Sequence, residues 1–196
     1  MNKKLGMAVL GAAFILPFTA QAEGAYVGFN GGRAQQKLNI YEDGSSGKDS
    51  ATAYKFYGGY EFNQYFGVQG GYVDMGKARG SYEDDGVKGT LQSKIKSLYV
   101  AVIGSLPVNQ QFSLFGKLGV SRNRVKLMDN WVEDGVAWRA WGSETRTKPL
   151  IGVGAEYKFT KNWAMVAEYE DFGKVLKGEG ANLKARMYSV GLHYHF

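Results

Sequence analysis

The chain has 196 residues, including 28 glycines, 13 tyrosines, 11 phenylalanines and no cysteine, which allows one domain of ordinary size and excludes disulfides and thiolate metal sites. Its formal net charge of +6 is mildly basic and predicts no nucleic-acid partner. Abundant glycine and aromatic residues are typical of tightly paired, curved strands.

The N-terminal segment has the pattern of an export signal. A lysine pair precedes the apolar run 5–18, and Ala20-Gln21-Ala22 offers small residues where a signal peptidase cleaves. We therefore predict a signal peptide over residues 1–22 and a mature domain over residues 23–196. A membrane anchor is less favoured, because a spanning helix needs about 20 apolar residues.

Eight segments of the mature chain are predicted as β-strands, from period-two alternation and from short turns between apolar runs. The predicted strands are 25–33, 51–62, 65–74, 92–106, 112–125, 146–159, 163–172 and 184–196. Long polar loops, at 34–50, 75–91, 126–145 and 173–183, alternate with short turns. This alternation predicts an all-β fold, an eight-stranded antiparallel up-and-down transmembrane β-barrel, multi-pass in the outer membrane with both termini periplasmic.

Aromatic residues concentrate next to the short turns, as an interface girdle requires. They are Phe62, Tyr65, Phe66, Phe112, Phe159, Trp163, Tyr194 and Phe196. A soluble protein would instead place its core aromatics at the strand centres. The girdle therefore favours a membrane protein.

The last ten residues carry the clearest strand pattern. Large apolar or aromatic side chains occupy alternate positions, Tyr188, Val190, Leu192, Tyr194 and Phe196. In a membrane barrel such a face contacts lipid and the polar face lines the lumen. The segment also matches the terminal assembly pattern of bacterial outer-membrane barrels, which predicts recognition by the outer-membrane assembly machinery through Ser189, Gly191, Tyr194 and Phe196.

Four segments resemble the transmembrane domain of the OmpA family. They are YGGYEFNQYFGVQGGYVDMG (57–76), FSLFGKLGV (112–120), IGVGAEYKFTKNWAMVAEYEDF (151–172) and MYSVGLHYHF (187–196). The resemblance implies a small outer-membrane barrel with a structural or surface-interaction role in envelope integrity or adhesion. Family members with a periplasmic peptidoglycan-binding domain continue past the barrel, whereas this sequence stops at Phe196, so we do not predict that function.

Strand parity predicts charged residues inside the barrel. It directs Lys117, Glu156, Glu168 and Glu170 inward. The resemblance implies that Lys117, Glu156 and Glu168 form an internal charged network. Because an unpaired buried charge is costly, we expect Lys117 to pair with Glu156 or Glu168.

The two histidines of the chain, His193 and His195, share a face that parity directs into the lumen. Acyl transfer needs a nucleophile within reach of a base, and Ser189 lies too far along the strand. No third ligand is evident for a metal site. We interpret both residues as lumen-filling side chains and expect neither catalysis nor a cofactor.

The long loops are the predicted sites of interaction. Loop 126–145 holds Trp131, Trp138 and Trp141, which indicate either packing at the outer interface or a contact surface for a host or other surface ligand. Loop 173–183 is basic, which indicates either contact with lipopolysaccharide phosphates or a solvated rim, beside the ordinary contact with outer-membrane lipid. A narrow pore for ions or small solutes is the alternative function and a lipid A-modifying enzyme is less favoured. We expect a monomer.

Overall fold

The computed structural model describes residues 24–40, 46–84, 87–133, 136–177 and 181–196. The strands are β1 (Ala25–Ile40), β2 (Ser46–Glu61), β3 (Phe66–Asp84), β4 (Val87–Pro107), β5 (Phe112–Glu133), β6 (Val136–Lys158), β7 (Trp163–Lys177) and β8 (Ala181–His195). Each strand pairs with the next in antiparallel register, and β1 also pairs with β8. The sheet therefore closes into the predicted eight-stranded barrel.

The two ends of the barrel differ. The short-turn end carries the connections after β2, β4 and β6, and there the Phe196 N–H donates to the Ala25 carbonyl at 3.1 Å. At the opposite, long-strand end, β5 and β6 continue to Glu133 and Val136. In the described ranges the chain has no helix long and apolar enough to cross a bilayer. The predicted signal peptide, residues 1–22, lies outside the described residues.

The prediction of four long loops is wrong, because most residues of these segments are in strands. The segment 126–145 belongs to β5 and β6 on both sides of the undescribed residues 134–135. Segments 34–50, 75–91 and 173–183 extend their neighbouring strands in the same way. The barrel wall is therefore much taller than the apolar alternation of the sequence suggests.

The physical reason is that the apolar face changes sides along the strands. On β5, Leu118 faces outward and is 66% exposed, while the adjacent Lys117 is buried. Further along, Arg124 faces outward and Val125 is fully buried. The apolar residues thus move from the outward face to the inward face of the strand. A strand prediction that follows alternating apolar residues ends where this phase reversal occurs. β4 and β8 show the same reversal.

An outer apolar belt surrounds the barrel beside the short-turn end. Its exposed side chains include Phe29, Phe56, Val68, Leu98, Val100, Val102, Leu118, Val120, Ile151, Val153, Met165, Val190 and Leu192. Toward the short-turn end it is bordered by six exposed residues of the predicted girdle, Phe62, Tyr65, Phe66, Phe159, Trp163 and Phe196. Three tyrosines, Tyr54, Tyr72 and Tyr188, mark its opposite margin. An apolar surface of this extent is typical of a lipid contact.

Two β-bulges of the same design occur where the phase reverses. In Asp74-Met75-Gly76 and Asp171-Phe172-Gly173, the aspartate accepts a hydrogen bond from the glycine N–H at 3.0 and 2.7 Å, respectively. The glycine φ angles are 72° and 70°, which favour glycine. The middle residues, Met75 and Phe172, are fully buried. Met75 and Phe172 keep the inward parity of Val73 and Glu170, and after each bulge the inward positions continue at Ala78 and Val175.

Candidate functional site

A charge cluster of four buried residues, Lys55, Lys117, Glu168 and Glu170, crosses the lumen. Lys55 forms an ion pair with Glu168, and its Nζ lies 2.9 Å from Oε2 of Glu170. Nζ of Lys117 lies 3.2 Å from Glu168 and 2.8 Å from Glu170. The four side chains are at most 1% exposed. Two positive and two negative charges thus compensate one another in a buried position.

The structure brings Lys117 to Glu168, one of the two partners expected from the sequence, but Glu156 lies elsewhere. Sequence analysis missed Lys55, because parity was not followed along β2. Tyr54 and Phe56 face outward there, and this alternation places Lys55 inside. The signal was therefore present in the sequence.

Tyrosine and amide side chains separate the charge cluster from the short-turn end. Tyr99 Oη donates to Gln69 at 2.7 Å, and the Gln69 amide donates to Tyr26 Oη at 3.3 Å. Nζ of Lys117 lies 5.3 Å from the centre of the Tyr99 ring. These buried polar groups thus satisfy one another and add a cation–π contact to the charge cluster.

An apolar plug fills the lumen on the other side of the charge cluster. Its members are almost completely buried and pack against one another: Val73, Met75, Ile95, Val125, Leu150, Phe172, Val175, Leu183 and Met187. They come from six different strands, so the plug spans the cross-section of the barrel. A solute entering the lumen would meet both this plug and the charge cluster.

Toward the short-turn end the lumen opens into a cavity of about 200 Å³. Its walls include Tyr26, Tyr57, Glu156 and His193, and its mouth includes the turn residue Asn109. Nδ1 of His193 lies 2.9 Å from Oε2 of Glu156, and Nε2 of His195 lies 3.6 Å from Oε1. Glu156 therefore lies beside both histidines and offers a third ligand atom that is not evident from the sequence. The contact joins β6 to β8 across β7, which sequence spacing does not reveal.

The predicted assembly residues lie at two depths. Ser189 is buried and accepts a hydrogen bond from Nδ2 of Asn30 at 3.3 Å. Gly191 faces the lumen beside Asn30, whereas the Tyr194 ring packs 4.9 Å from Trp163 and 5.3 Å from Phe196 on the outer surface. Their recognition by the assembly machinery stays a prediction.

The three tryptophans predicted to share a loop lie on strands instead. Trp131 of β5 pairs directly with Trp138 of β6, and their rings stack with centroids 6.4 Å apart. Trp141 lies three residues further along β6, on the opposite face, and is 80% exposed. The long β5–β6 hairpin therefore presents aromatic side chains on both of its faces.

Comparison with known sequences connects this geometry to a family. The model of the outer membrane protein β-barrel domain matches residues 5–196. The chain is 32% identical to Outer membrane protein A of Yersinia pseudotuberculosis, covering 98% of this chain and 54% of that relative. The chain thus spans about half the length of the curated OmpA relatives that it matches.

Solved structures share the fold at low sequence identity. OprG of Pseudomonas aeruginosa gives a TM-score of 0.60 at 13% identity, covering 88% of this chain and 96% of OprG. Ail of Yersinia pestis, solved with the heparin analogue sucrose octasulfate, gives 0.52 at 19% identity and coverages of 87% and 99%. The outer membrane protease OmpT of Escherichia coli gives 0.54 at 12% identity and coverages of 89% and 97%.

Proposed function

Because the chain belongs to the outer membrane protein β-barrel family, we propose that it is a closed barrel with a structural and surface-interaction role in the cell envelope. In this proposal a signal peptide over residues 1–22 directs export, the barrel is a monomer, and its short-turn end faces the periplasm. The long-strand end then projects from the cell. Envelope integrity and adhesion are the functions that this arrangement supports.

The observation that carries the proposal is the double closure of the lumen. The charge cluster and the apolar plug lie in series, and their members are almost completely buried. An eight-stranded barrel is just wide enough for its own side chains to fill the interior. A conducting path would have to separate Lys55 and Lys117 from both glutamates, which leaves buried charges unpaired. The narrow-pore alternative is therefore disfavoured.

Closure predicts that the mature protein gives no steady conductance steps in planar lipid bilayers. The conductance of the Lys55→Met/Lys117→Met variant, which lacks both cations of the charge cluster, is measured in the same way. We expect this variant to remain silent if it folds, because the apolar plug is still present. Defined, repeated openings of the wild-type protein would contradict the closed-barrel proposal and support the pore.

We further propose that a basic patch on the outer surface binds lipopolysaccharide phosphates. The patch consists of Lys94 and Lys96 on β4 and Arg122, Arg124 and Lys126 on β5. The register sets Lys96 opposite Arg124 and Lys94 opposite Lys126. Like charges in such cross-strand positions destabilise a sheet unless an anion compensates them.

The surroundings of the basic patch suit an amphipathic phosphate. Asp74 is the acidic neighbour, 3.7 Å from Nζ of both Lys94 and Lys96. On the other side β6 presents the hydroxyl residues Thr145 and Thr147 opposite Arg124 and Arg122. Directly below, toward the short-turn end, begins the outer apolar belt. Phosphates of lipid A can thus meet cations and hydroxyls while the acyl chains contact the belt.

The basic patch predicts that Arg122→Gln/Arg124→Gln lowers the affinity for lipid A by about tenfold or more, since each lost charge-assisted hydrogen bond is worth about 1.5–3 kcal/mol. Native mass spectrometry of the detergent-solubilised protein measures the bound fraction. Arg33→Gln/Lys37→Gln removes two exposed cations on β1, across the barrel from the patch, and should bind as wild type. Equal losses in both double variants, or equal binding of dephosphorylated lipid A, would contradict the assignment.

The tryptophans of the β5–β6 hairpin extend the proposal to a surface ligand. Trp138 and Trp141 are exposed, and aromatic side chains of this kind are common anchors of interfaces. Ail is an attachment protein that holds a heparin analogue in its structure. Adhesion through the hairpin is consistent with this, although the shared fold does not identify a ligand.

A non-enzymatic role completes the proposal. OmpT is a protease on the same type of fold, so the fold alone does not exclude catalysis. The support comes from the histidines, which contact Glu156 in the lumen, and from Ser189, whose hydroxyl accepts a hydrogen bond from Asn30. Within the described ranges this serine thus bonds to an amide, which cannot act as a general base.

A further inference from the structure

At the cavity of the short-turn end, Glu156 and His193 line the wall and His195 stacks on His193, and the proposed surface role uses none of these side chains. Glu156, His193 and His195 each offer one ligand atom, and these three atoms lie within 4.8 Å of one another. His193 is 5% exposed and Glu156 is 6% exposed, so two of the three are shielded from bulk water. We propose that they form a binding site for one divalent transition-metal ion, with Zn²⁺ as the probe.

The first support is a pair of unsatisfied nitrogens. Nε2 of His193 and Nε2 of His195 are buried and have no hydrogen-bond partner. Buried polar atoms almost always find a partner, so two neighbouring exceptions require an explanation. The imidazole rings are stacked with centroids 4.4 Å apart, so the two histidines are direct neighbours. A metal ion bound to Nε2 of His195 would satisfy that nitrogen, with Nδ1 of His193, which faces the same Glu156 carboxylate, as the second imidazole ligand.

The second support is the spacing to the carboxylate. Oε1 of Glu156 lies 3.6 Å from Nε2 of His195, too long for a hydrogen bond. Two ligands that are each about 2 Å from one tetrahedral ion lie roughly 3.3–3.5 Å apart. The observed separation is therefore close to that of two ligands around a common ion. Small side-chain rotations would therefore bring Oε1 of Glu156 and Nε2 of His195 to ligand distance from one ion.

The other atoms of the group hold the rings in place. Nδ1 of His195, its remaining ring nitrogen, lies 3.9 Å from Glu61. Tyr26 packs against the His193 ring with centroids 4.1 Å apart. A carboxylate on the remote nitrogen is the usual device for orienting a metal-binding histidine. The site therefore has its supporting contacts before any ion enters.

The donor set also indicates the class of ion. Two imidazoles and one carboxylate suit Zn²⁺ and other first-row transition metals, whereas Mg²⁺ and Ca²⁺ prefer oxygen ligands. Entry is through the mouth of the cavity, which the turn residues Asn109 and Gln111 line. Glu156 and His193 line this cavity of about 200 Å³, which has room for water as a further ligand.

The test is Zn²⁺ titration by calorimetry of the tag-free mature protein in detergent micelles, where the chain has only two histidines and no cysteine. We expect one Zn²⁺ per chain that excess Mg²⁺ does not displace. His193→Gln, His195→Gln and Glu156→Gln should each weaken binding by about 10- to 100-fold or more. Glu144→Gln changes a half-exposed carboxylate on the same strand as Glu156 and should bind as wild type.

Two results would overturn the site: a wild-type protein that binds no Zn²⁺, or histidine variants that bind as tightly as Glu144→Gln. Where a variant does not fold, Co²⁺ bound to the wild-type protein gives the decision. Visible bands of a tetrahedral, nitrogen-ligated ion support the site, and the spectrum of hydrated Co²⁺ overturns it. Neither outcome depends on lipid A binding or conductance, so the metal site and the surface role fail separately.

Discussion

Replacing Lys55 by methionine is expected to destabilise the barrel by about 3–5 kcal/mol, the range found when one partner of a buried ion pair is removed. Methionine keeps most of the volume but leaves Glu168 and Glu170 to share Lys117 alone. The free energy of unfolding is measured by urea titration of the protein folded into phosphatidylcholine vesicles. Lys117→Met should have a similar effect, because it contacts the same two carboxylates.

Two companion variants test whether charge compensation is the cause. Arg186→Met removes a cation that pairs with Asp171 at 2.9 Å on the half-exposed outer surface, and it should change stability little. Lys55→Met/Glu170→Gln restores neutrality, so its cost should be clearly less than the sum of the two single variants. An additive double variant, or a Lys55→Met protein as stable as Arg186→Met, would show that the four charges do not act together.

The second large effect is expected on the outer apolar belt. Val153→Arg should cost about 2–4 kcal/mol, as for a cation at the bilayer midplane on the lipid-facing side of a barrel. Val153 is 58% exposed and lies between Ile151 and Tyr157 on the outward face of β6. The same urea titration measures the loss, together with the yield of folded protein by electrophoretic mobility.

Thr90→Arg is the matched control, because it introduces the same cation on the outward face of β4 beyond the belt, where the register sets Asn130 of β5 opposite it. It should fold as wild type. In a water-soluble barrel both variants would be tolerated, since both positions are on the outer surface. Equal stability of the two variants would therefore contradict the membrane assignment of the belt.

Much of the fold could be predicted because the strands that form the belt alternate strongly between apolar and polar residues. On β6, β7 and β8 every second residue faces lipid, and parity from Ile151, Met165 or Leu192 places Glu168 and His193 inside. Only strand pairing and face are needed for such statements. Both are local properties of a period-two element.

The strand extensions and the contacts of Glu156 could not be predicted in this way. At the extensions, Arg124 and Val125 exchange the roles that Lys117 and Leu118 have on the same strand. A local count of apolar residues has no means of recognising this exchange. Glu156 contacts His193 across the intervening strand β7, and that contact depends on the stagger of three neighbouring strands. Stagger is a property of the closed sheet and leaves no mark on a single segment.

The reversal of phase on β4, β5 and β8 has a consequence for how the protein sits in its bilayer. A vertical displacement of two residues, about 7 Å along a strand, would drag Arg122 into hydrocarbon or lift Leu118 into water. A displacement in either direction raises the free energy, so the sequence of the barrel itself sets its depth in the bilayer. We expect it to thin or thicken the surrounding lipid before it slides, and to discriminate between membranes of different thickness.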